Sequence, residues 1–104
     1  MIAVIFEVTP KESGKTIYFE IAQTLKSSLS KVDGFISIER FQSLSNPETF
    51  LSLSFWQDEM SIKQWRENFE HQIAQKKGKE ELFLHYRIRV ANVMRDYDNS
   101  TKEK

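Results

Sequence analysis

The amino-acid sequence predicts an α+β domain of the ferredoxin-like type, a four-stranded antiparallel sheet with both helices on one face. Four segments are rich in β-branched and aromatic residues, as strands are. Two others repeat apolar residues at steps of three and four, as amphipathic helices do. The six segments follow the order βαββαβ, and 104 residues fit a single domain. We assign residues 2–97 to that domain and 98–104 to a polar tail.

The first half of the chain is predicted to contain one strand and one helix. Residues 2–9 form the strand, which Pro10 closes. Residues 15–31 form the helix, and Gly34 just beyond it is a typical stop signal. The apolar positions of this helix are Tyr18, Ile21, Ala22, Leu25 and Leu29.

The second half is predicted to contain a hairpin, a helix and a long strand. Residues 35–43 and 49–56 form the hairpin, joined by a turn at Ser45–Glu48 that contains Asn and Pro. Asp58 is a suitable N-cap for the next helix, and residues 82–95 form the last strand. The helix has an apolar stripe and is expected to end or kink at Gly78. The stripe consists of Ile62, Trp65, Phe69 and Ile73.

Composition excludes several classes of protein. The 15 basic and 15 acidic residues cancel, so the chain lacks the charge of a nucleic-acid or anionic-membrane binder. The chain has no cysteine, which removes disulfides and thiolate chemistry. Its two histidines have no carboxylate cluster beside them, so no metal site is expected. The apolar segment Met1–Val8 is too short for a signal peptide or a membrane span, and we expect a soluble cytoplasmic protein.

Alternation along the predicted strands gives two faces of different composition. The apolar set is expected to lie beneath the helices, and the mixed set to form the opposite face. The apolar set is Val4, Phe6, Val8, Leu51, Leu53, Phe55, Leu84, Tyr86, Ile88 and Val90. The mixed set is Ile5, Glu7, Phe35, Ser37, Glu39, Phe41, Phe50, Ser52, Ser54, Trp56, Phe83, His85, Arg87 and Arg89.

The mixed face predicts a homodimer. Contiguous apolar surface that water would otherwise cover usually marks an interface, so two sheets are expected to pack face to face about a two-fold axis. Glu7 and Glu39 are expected to pair with Arg87 and Arg89. The far half of the last strand, residues 91–97, is expected to extend past its own sheet toward the partner.

Taken together, these segments resemble the antibiotic biosynthesis monooxygenase superfamily, and in particular its small stand-alone bacterial members. The resemblance covers about residues 2–97. It implies a dimeric α+β barrel with a cleft between helices and sheet in each subunit. Relatives of this kind oxygenate aromatic or quinol substrates without metal or flavin, or open the haem ring. The matching segments are Gly34–Ser43, Leu51–Glu59, Trp65–Arg66, Glu70–His71, Ala74–Gln75, Gly78, Tyr86–Val90 and Arg95–Tyr97.

The haem-degrading branch of the superfamily is the less suitable comparison. That branch uses an asparagine on the first strand, a tryptophan on the second helix and a haem-ligating histidine. Trp65 matches the tryptophan, but no asparagine precedes Asn46. His71 follows Trp65 too closely for the ligand, and Gln75 lies nearer the expected place. We therefore expect no cofactor and keep haem only as an alternative.

Six residues are predicted to form the site. His71 is the candidate base, because imidazole titrates near neutral pH and accepts a proton from a phenol or hydroquinone. Trp65 is assigned with it to catalysis, although core packing is the default explanation for its position on the apolar stripe. Four residues are predicted to bind a flat substrate: Trp56, Phe69, Gln75 and Tyr86.

The sequence thus predicts a cofactor-independent monooxygenase that acts on a small aromatic or quinol-type molecule. A non-catalytic binding or stress-response module that uses the same cleft is the alternative from another class. A haem-binding or haem-degrading protein is the third hypothesis.

Overall fold

The computed structural model describes residues 1–76 and 79–100, and it confirms the ferredoxin-like fold. The sheet has the strand order β2-β3-β1-β4, and all its strand pairs are antiparallel. Both long helices pack against one side of it. The elements are β1 (Ile2–Pro10), a 3-10 turn (Glu12–Gly14), α1 (Lys15–Leu29), β2 (Phe35–Gln42), β3 (Phe50–Trp56), α2 (Glu59–Lys76), α3 (Lys79–Leu82) and β4 (Phe83–Asn92).

The strand register aligns one row of side chains across the whole sheet beneath the helices. Phe6 of β1 lies opposite Ser52 of β3 on one side and Ile88 of β4 on the other. Ser52 in turn lies opposite Arg40 of β2. Because paired residues point to the same face of a sheet, these four side chains share the face that the helices cover. We call this face the helix face and the opposite one the open face.

The sequence-based assignment of β3 to faces is wrong. Ser52, Ser54 and Trp56 lie on the helix face and are buried, at 8%, 2% and 0% exposure. Leu51, Leu53 and Phe55 lie on the open face instead, since Leu53 pairs with Ile5 and Glu39. Alternation alone could not show which set of β3 residues faces the helices, because each of the two alternate sets contains large apolar side chains. The open face is consequently more apolar, and the helix face more polar, than the sequence predicted.

Three further face assignments differ for local reasons. A bulge between Phe35 and Ser37 in β2 turns Phe35 toward the core, where its ring packs against Trp56 at 5.2 Å. A register shift between Thr9 and Pro10 similarly buries Phe83. Leu84, predicted to lie under the helices, is 70% exposed. Each bulge adds one residue to one strand and therefore reverses the alternation beyond it.

The core lies between the helix face and the two long helices and is largely aromatic. Phe6 at its centre contacts four rings at centroid distances between 5.6 and 6.4 Å. Such edge-on and tilted pairs add about 0.5–1.5 kcal/mol each beyond the burial of their area. The four partners of Phe6 are Tyr18, Phe69, Phe83 and Tyr86.

The start of α2 is fixed by contacts with the loop before β2. Asp58 is the N-cap, as predicted: its Oδ1 accepts hydrogen bonds from the Ser61 N–H at 3.0 Å and the Ser61 hydroxyl at 2.9 Å. These bonds lower the pKa of Asp58. Gly34 lies against this cap with φ +89°, and a Cβ there would clash with Ser61 Oγ. The Gly34 carbonyl also accepts a hydrogen bond from the Gln57 N–H at 2.7 Å.

Two element ends differ from the sequence prediction by two residues or more. α1 ends at Leu29 rather than at residue 31, and the chain turns through hydrogen bonds to the Ser28 and Leu29 carbonyls. β4 ends at Asn92 rather than at residue 95. Its partner strand β1 starts at Ile2, which pairs with Asn92, so residues 93–98 run past the end of β1. The predicted helix end at Gly78 lies outside the described residues.

The open face combines apolar side chains with a cross-strand ion pair. Arg89 Nη1 donates to Glu7 Oε2 at 3.0 Å, which confirms one of the predicted pairings. Phe41 is 44% exposed, and its neighbours on the face are only partly covered. The apolar residues of this face are Ala3, Ile5, Phe41, Leu51, Leu53 and Phe55.

Candidate functional site

Two small cavities lie in the core between the helices and the sheet. The first, which we call the central hollow, has a volume of about 20 Å³, enough for roughly one water molecule. Both long helices and the three strands β1, β2 and β3 contribute to it. Its lining is Phe6, Tyr18, Ala22, Leu25, Leu29, Ile38, Arg40, Ser52, Trp65 and Phe69.

The second cavity lies on the other side of Phe6 and Phe69, which line both. Its volume is about 10 Å³, and its further residues are Arg66, Glu70, Phe83, Tyr86 and Ile88. We call it the side hollow.

An open groove of about 630 Å³ lies next to the side hollow, between α2 and β4. The groove shares Arg66 and Glu70 with the side hollow, so the three spaces follow one another from the surface to the core. Its volume falls in the range of pockets that hold small organic ligands. The other residues of the groove are Glu59, Met60, Ile62, Lys63, Glu67 and Val90.

Trp65 contributes a buried hydrogen-bond donor without an acceptor. It lies on the inner side of α2, 8% exposed, and its ring stacks on Phe69 with centroids 5.4 Å apart and planes 5° apart. Among the side chains that the structure describes, its Nε1 is the only buried nitrogen or oxygen that lacks a hydrogen-bond partner. An unpaired buried donor costs about 1–3 kcal/mol, so a bound acceptor would recover that free energy.

Trp56 has a different environment from Trp65, although the two rings are 6.0 Å apart. Its Nε1 donates to Ser54 Oγ at 2.9 Å, and the side chain is fully buried. It lines neither of the two hollows. Trp56 therefore packs the core beneath Trp65, and its polar group is already satisfied.

Tyr18 and Arg40 also line the central hollow, and the sequence analysis did not select either of them. Burial raises the pKa of Tyr18 to about 12, against the opposing effect of the Arg40 guanidinium. The hydroxyl therefore stays protonated at neutral pH and remains a donor. Arg40 lies on the edge strand β2 and is half-buried. Its position in the row with Ser52 and Phe6, which only the register reveals, brings it to this site.

Ser52 explains why a hollow exists at this place. It occupies the centre of the sheet row between Arg40 and Phe6, where a larger side chain would fill the space. The orientation of β3, with its serines on the helix face, is thus part of the site, because it places small hydroxyl side chains beneath Trp65. The sequence did not reveal this role of Ser52, because a serine between two leucines of a strand does not show which face it occupies.

The structure does not bring His71 together with Trp65. His71 is exposed on α2 and lines neither hollow, whereas Trp65 is buried. His71 directly follows Glu70, the last α2 residue of the groove, but does not itself line the groove. Tyr86 lines the side hollow, and Phe69 separates the two hollows. The side chain of Gln75 lies outside those that the structure describes.

Neither His71 nor His85 contributes to the described lining of the hollows, so no histidine there is placed to ligate a haem iron. Within residues 1–76 and 79–100, no three His, Cys, Asp or Glu side chains converge as a metal site requires. No helix in that part of the chain is both long and apolar enough to span a membrane.

Comparison with known proteins identifies the family. Residues 1–77 match the sequence profile of the family described as antibiotic biosynthesis monooxygenase. The chain belongs to that family.

The chain is 32% identical over 93 residues to YqjZ of Bacillus subtilis, covering 89% of this chain and 79% of that protein. It is 45% identical over 93 residues to a protein of Pyricularia oryzae named jasmonate monooxygenase ABM. Those residues are 89% of this chain but only 43% of the fungal protein, so the chain spans less than half of that relative.

Superposition on solved structures confirms the ferredoxin-like fold of this chain. Rv0793 from Mycobacterium tuberculosis superposes with a TM-score of 0.77 at 14% identity, over 93% of this chain and 98% of that one. SnoaB from Streptomyces nogalater, described as a cofactor-independent oxygenase, superposes with a TM-score of 0.71 at 7% identity. The alignment with SnoaB covers 91% of this chain and 94% of the other. At such low identity these likenesses concern the fold alone.

Proposed function

We propose that this protein is a cofactor-independent monooxygenase of a small aromatic or quinol-type molecule. The observation that carries the proposal is the unpaired indole N–H of Trp65 at a ring-lined hollow in a member of this family. The fungal relative, named a monooxygenase, and SnoaB, described as a cofactor-independent oxygenase, support the same reaction class.

For a substrate such as anthrone, the proposed reaction converts an activated methylene to a carbonyl group. The carbon loses two hydrogens, one oxygen atom of O₂ becomes the carbonyl oxygen, and the other leaves as water. The substrate supplies all four electrons that reduce O₂, so no external reductant is required. The protein contributes deprotonation of the substrate, shielding from water and hydrogen bonds to the developing anion.

The groove and the hollows suggest how such a molecule would bind. A single ring fits the groove of about 630 Å³, whereas the central hollow of about 20 Å³ must enlarge to receive it. Phe69 lines both hollows, so a rotation of its ring would join them. Substrate would then lie between Tyr86 and Trp65, with an oxygen at the Trp65 Nε1. Trp56 would support the site from below without touching substrate.

His71 remains the proposed base. Its imidazole is exposed on α2 directly after Glu70, which lines the groove, so proton abstraction would take place at the edge of the groove. His71→Ala tests this role separately from the reaction itself. Slower oxygen uptake with unchanged substrate binding would support it. Unchanged uptake would remove His71 from the mechanism and leave the monooxygenase proposal standing.

Oxygen consumption tests the proposed function directly. Purified protein is mixed with anthrone or a hydroxylated anthrone, and oxygen uptake is measured beside product formation. We expect uptake above the uncatalysed rate for the wild type and for Trp56→Phe, and loss of it for Trp65→Phe. Thermal stabilisation by these compounds without any turnover would refute the enzyme proposal and favour the non-catalytic binding module.

We also propose that the protein acts as a homodimer formed through the open faces of two sheets. The support is an open face that carries leucine, isoleucine and phenylalanine side chains around the Glu7–Arg89 ion pair. An interface of that apolar character is typical of obligate dimers. Residues 93–98, which extend past β1, would then lie beside the partner.

A further inference from the structure

We propose that Arg40, Tyr18 and Trp65 bind the ionised oxygen of a planar phenol or enol in the central hollow. The inference rests on the proposed function, because it names the residue that selects the ionised form of the substrate at the same site. Arg40 is the specificity-determining residue, and Tyr18 and Trp65 provide hydrogen-bond donors beside it.

The position of Arg40 is fixed by the sheet. It lies directly opposite Ser52, which lies opposite Phe6, so its side chain starts on the helix face one strand away from the hollow's centre. Its neighbours in β2, Glu39 and Phe41, point to the open face instead. The arginine is thus the cation that β2 places beneath the helices.

The charge of Arg40 has no counterion in the described part of the chain. No carboxylate there lies within 4.0 Å of its guanidinium, whereas Arg89 pairs with Glu7 at 3.0 Å and Arg66 with Glu70 at 3.8 Å. An exposed cation is stabilised by water, but Arg40 is half-buried beside an apolar cavity. Partial burial of an unpaired charge is costly, and a bound anion offsets that cost.

The polar groups around the hollow are mostly donors. Arg40 and the indole of Trp65 have no acceptor atoms, and the hydroxyl of Tyr18 keeps its proton at neutral pH. Ser52 adds a hydroxyl that can donate or accept. Among the described residues no carboxylate lines the hollow, and the titratable residues there are Tyr18 and Arg40. This arrangement favours an oxyanion over a neutral hydroxyl or a cation.

The rings around the hollow favour a flat ligand. Phe6, Trp65 and Phe69 lie on its inner side, with Trp65 and Phe69 stacked in parallel. Once the hollow has enlarged from about 20 Å³, a conjugated ring inserted beside that stack keeps its faces in apolar contact while its oxygen reaches the donors. A phenolate or enolate has both features, because its negative charge lies on an oxygen attached to a planar system.

The test uses 4-nitrophenol, whose phenolate and phenol forms absorb at different wavelengths. Its apparent pKa is measured free and bound to the wild-type protein. We expect saturable binding that lowers the apparent pKa by about one unit, which corresponds to about tenfold tighter binding of the phenolate. Arg40→Gln should abolish the shift and Arg40→Lys should keep part of it. Arg87→Gln, on the open face, should leave it unchanged.

The inference would be overturned by the absence of saturable binding to the wild type, by an unchanged pKa of the bound probe, or by a full shift in folded Arg40→Gln protein. Circular dichroism of each variant confirms that the sheet is intact. Displacement of the probe by benzoate, without preference for the phenolate, would also contradict the assignment to phenols and enols.

The same measurements separate this inference from the oxygenase proposal. A pKa shift without oxygen uptake would keep the anion site and reject the enzyme. Oxygen uptake without a pKa shift would keep the enzyme and reject the role of Arg40. The binding readout needs no turnover, so neither result depends on the other.

Discussion

The rings of Trp56 and Trp65 lie 6.0 Å apart, yet only the indole of Trp56 has an acceptor for its N–H group. Both side chains are buried, so the difference does not reflect access to water. Trp56 is paired with Ser54 from its own strand, two residues away, and that bond forms whenever β3 forms. Trp65 has a donor that the folded chain leaves unused.

Replacing each tryptophan in turn by phenylalanine should therefore affect stability and oxygen uptake differently. Trp56→Phe leaves the buried Ser54 hydroxyl without its partner and should lower the free energy of unfolding by about 1–3 kcal/mol, with binding retained. Trp65→Phe removes a donor that was already unpaired and should destabilise less, but abolish oxygen uptake. Urea unfolding and oxygen consumption of both variants measure the two effects. Equal destabilisation with equal activity would contradict the distinction.

Filling the central hollow should remove ligand binding. Ser52→Leu places a larger side chain between Arg40 and Phe6, and overpacking of this kind costs about 1–3 kcal/mol. We expect a folded, less stable protein that no longer binds 4-nitrophenol, as measured by absorbance titration. Ser37→Leu, the same change on the exposed side of β2, is the control and should leave binding intact. Binding by folded Ser52→Leu protein would place the ligand elsewhere.

Alkaline pH should destabilise the protein partly through Tyr18. Its pKa is about 12 in the folded protein, against an ordinary value of 10.0 for a solvated tyrosine, so the folded state retains the proton longer. The neutral phenol contributes stability fully below pH 10, and this contribution is lost as the pH rises from about 10 to 12. The loss amounts to roughly 2–3 kcal/mol. Denaturant unfolding of wild type and Tyr18→Phe between pH 8 and pH 12 should show a steeper decline for the wild type; parallel curves would contradict the assignment.

A charge on the open face should separate the proposed dimer. Leu53 lies opposite Ile5 and Glu39 near the centre of that face, so Leu53→Lys would bury a cation against the partner's apolar surface. We expect the wild type to sediment as a dimer at micromolar concentration and the variant as a folded monomer. Gln23→Lys, exposed on α1, carries the same charge and should remain dimeric. A monomeric wild type would end the proposal.

Gly34→Ala should destabilise the start of α2. The residue has φ +89°, and an added Cβ would clash with Ser61 Oγ, where that hydroxyl bonds to Asp58. Backbone strain at such a position costs about 1–3 kcal/mol. The measurement is thermal or urea unfolding. Ser61→Ala in the same background removes the clashing hydroxyl and should restore part of the loss, and no recovery would point to backbone strain alone.

The order of elements was accessible from sequence because each element carries its own local pattern. The stripe of Ile62, Trp65 and Phe69 specifies the inner side of α2, and Asp58 its start. The two faces of β3 were not accessible. Each of its two alternate sets of residues contains large apolar side chains, such as Trp56 in one and Leu53 in the other, and pairing with β1 and β2 decides which set faces the core.

The site was only half predictable for the same reason. Trp65 and Phe69 were selected because aromatic residues on a helix stripe are conspicuous. Arg40 and Ser52 are twelve residues apart and meet through the β2–β3 register, while Tyr18 reaches them from α1. Their convergence is a property of the assembled sheet and helix, and no local spacing encodes it.

The buried serines of β3 also affect how the hairpin finds its pairing. Sliding β3 by one residue would bring Leu51, Leu53 and Phe55 inward and turn Phe50 and Trp56 outward, so large apolar side chains would be buried in either register. Directional bonds also favour the native register, such as the Thr9–Thr49 hydroxyl contact at 2.8 Å and the Trp56–Ser54 bond. The hydroxyl groups of this hairpin thus contribute to the choice of register as well as to the polarity of the core.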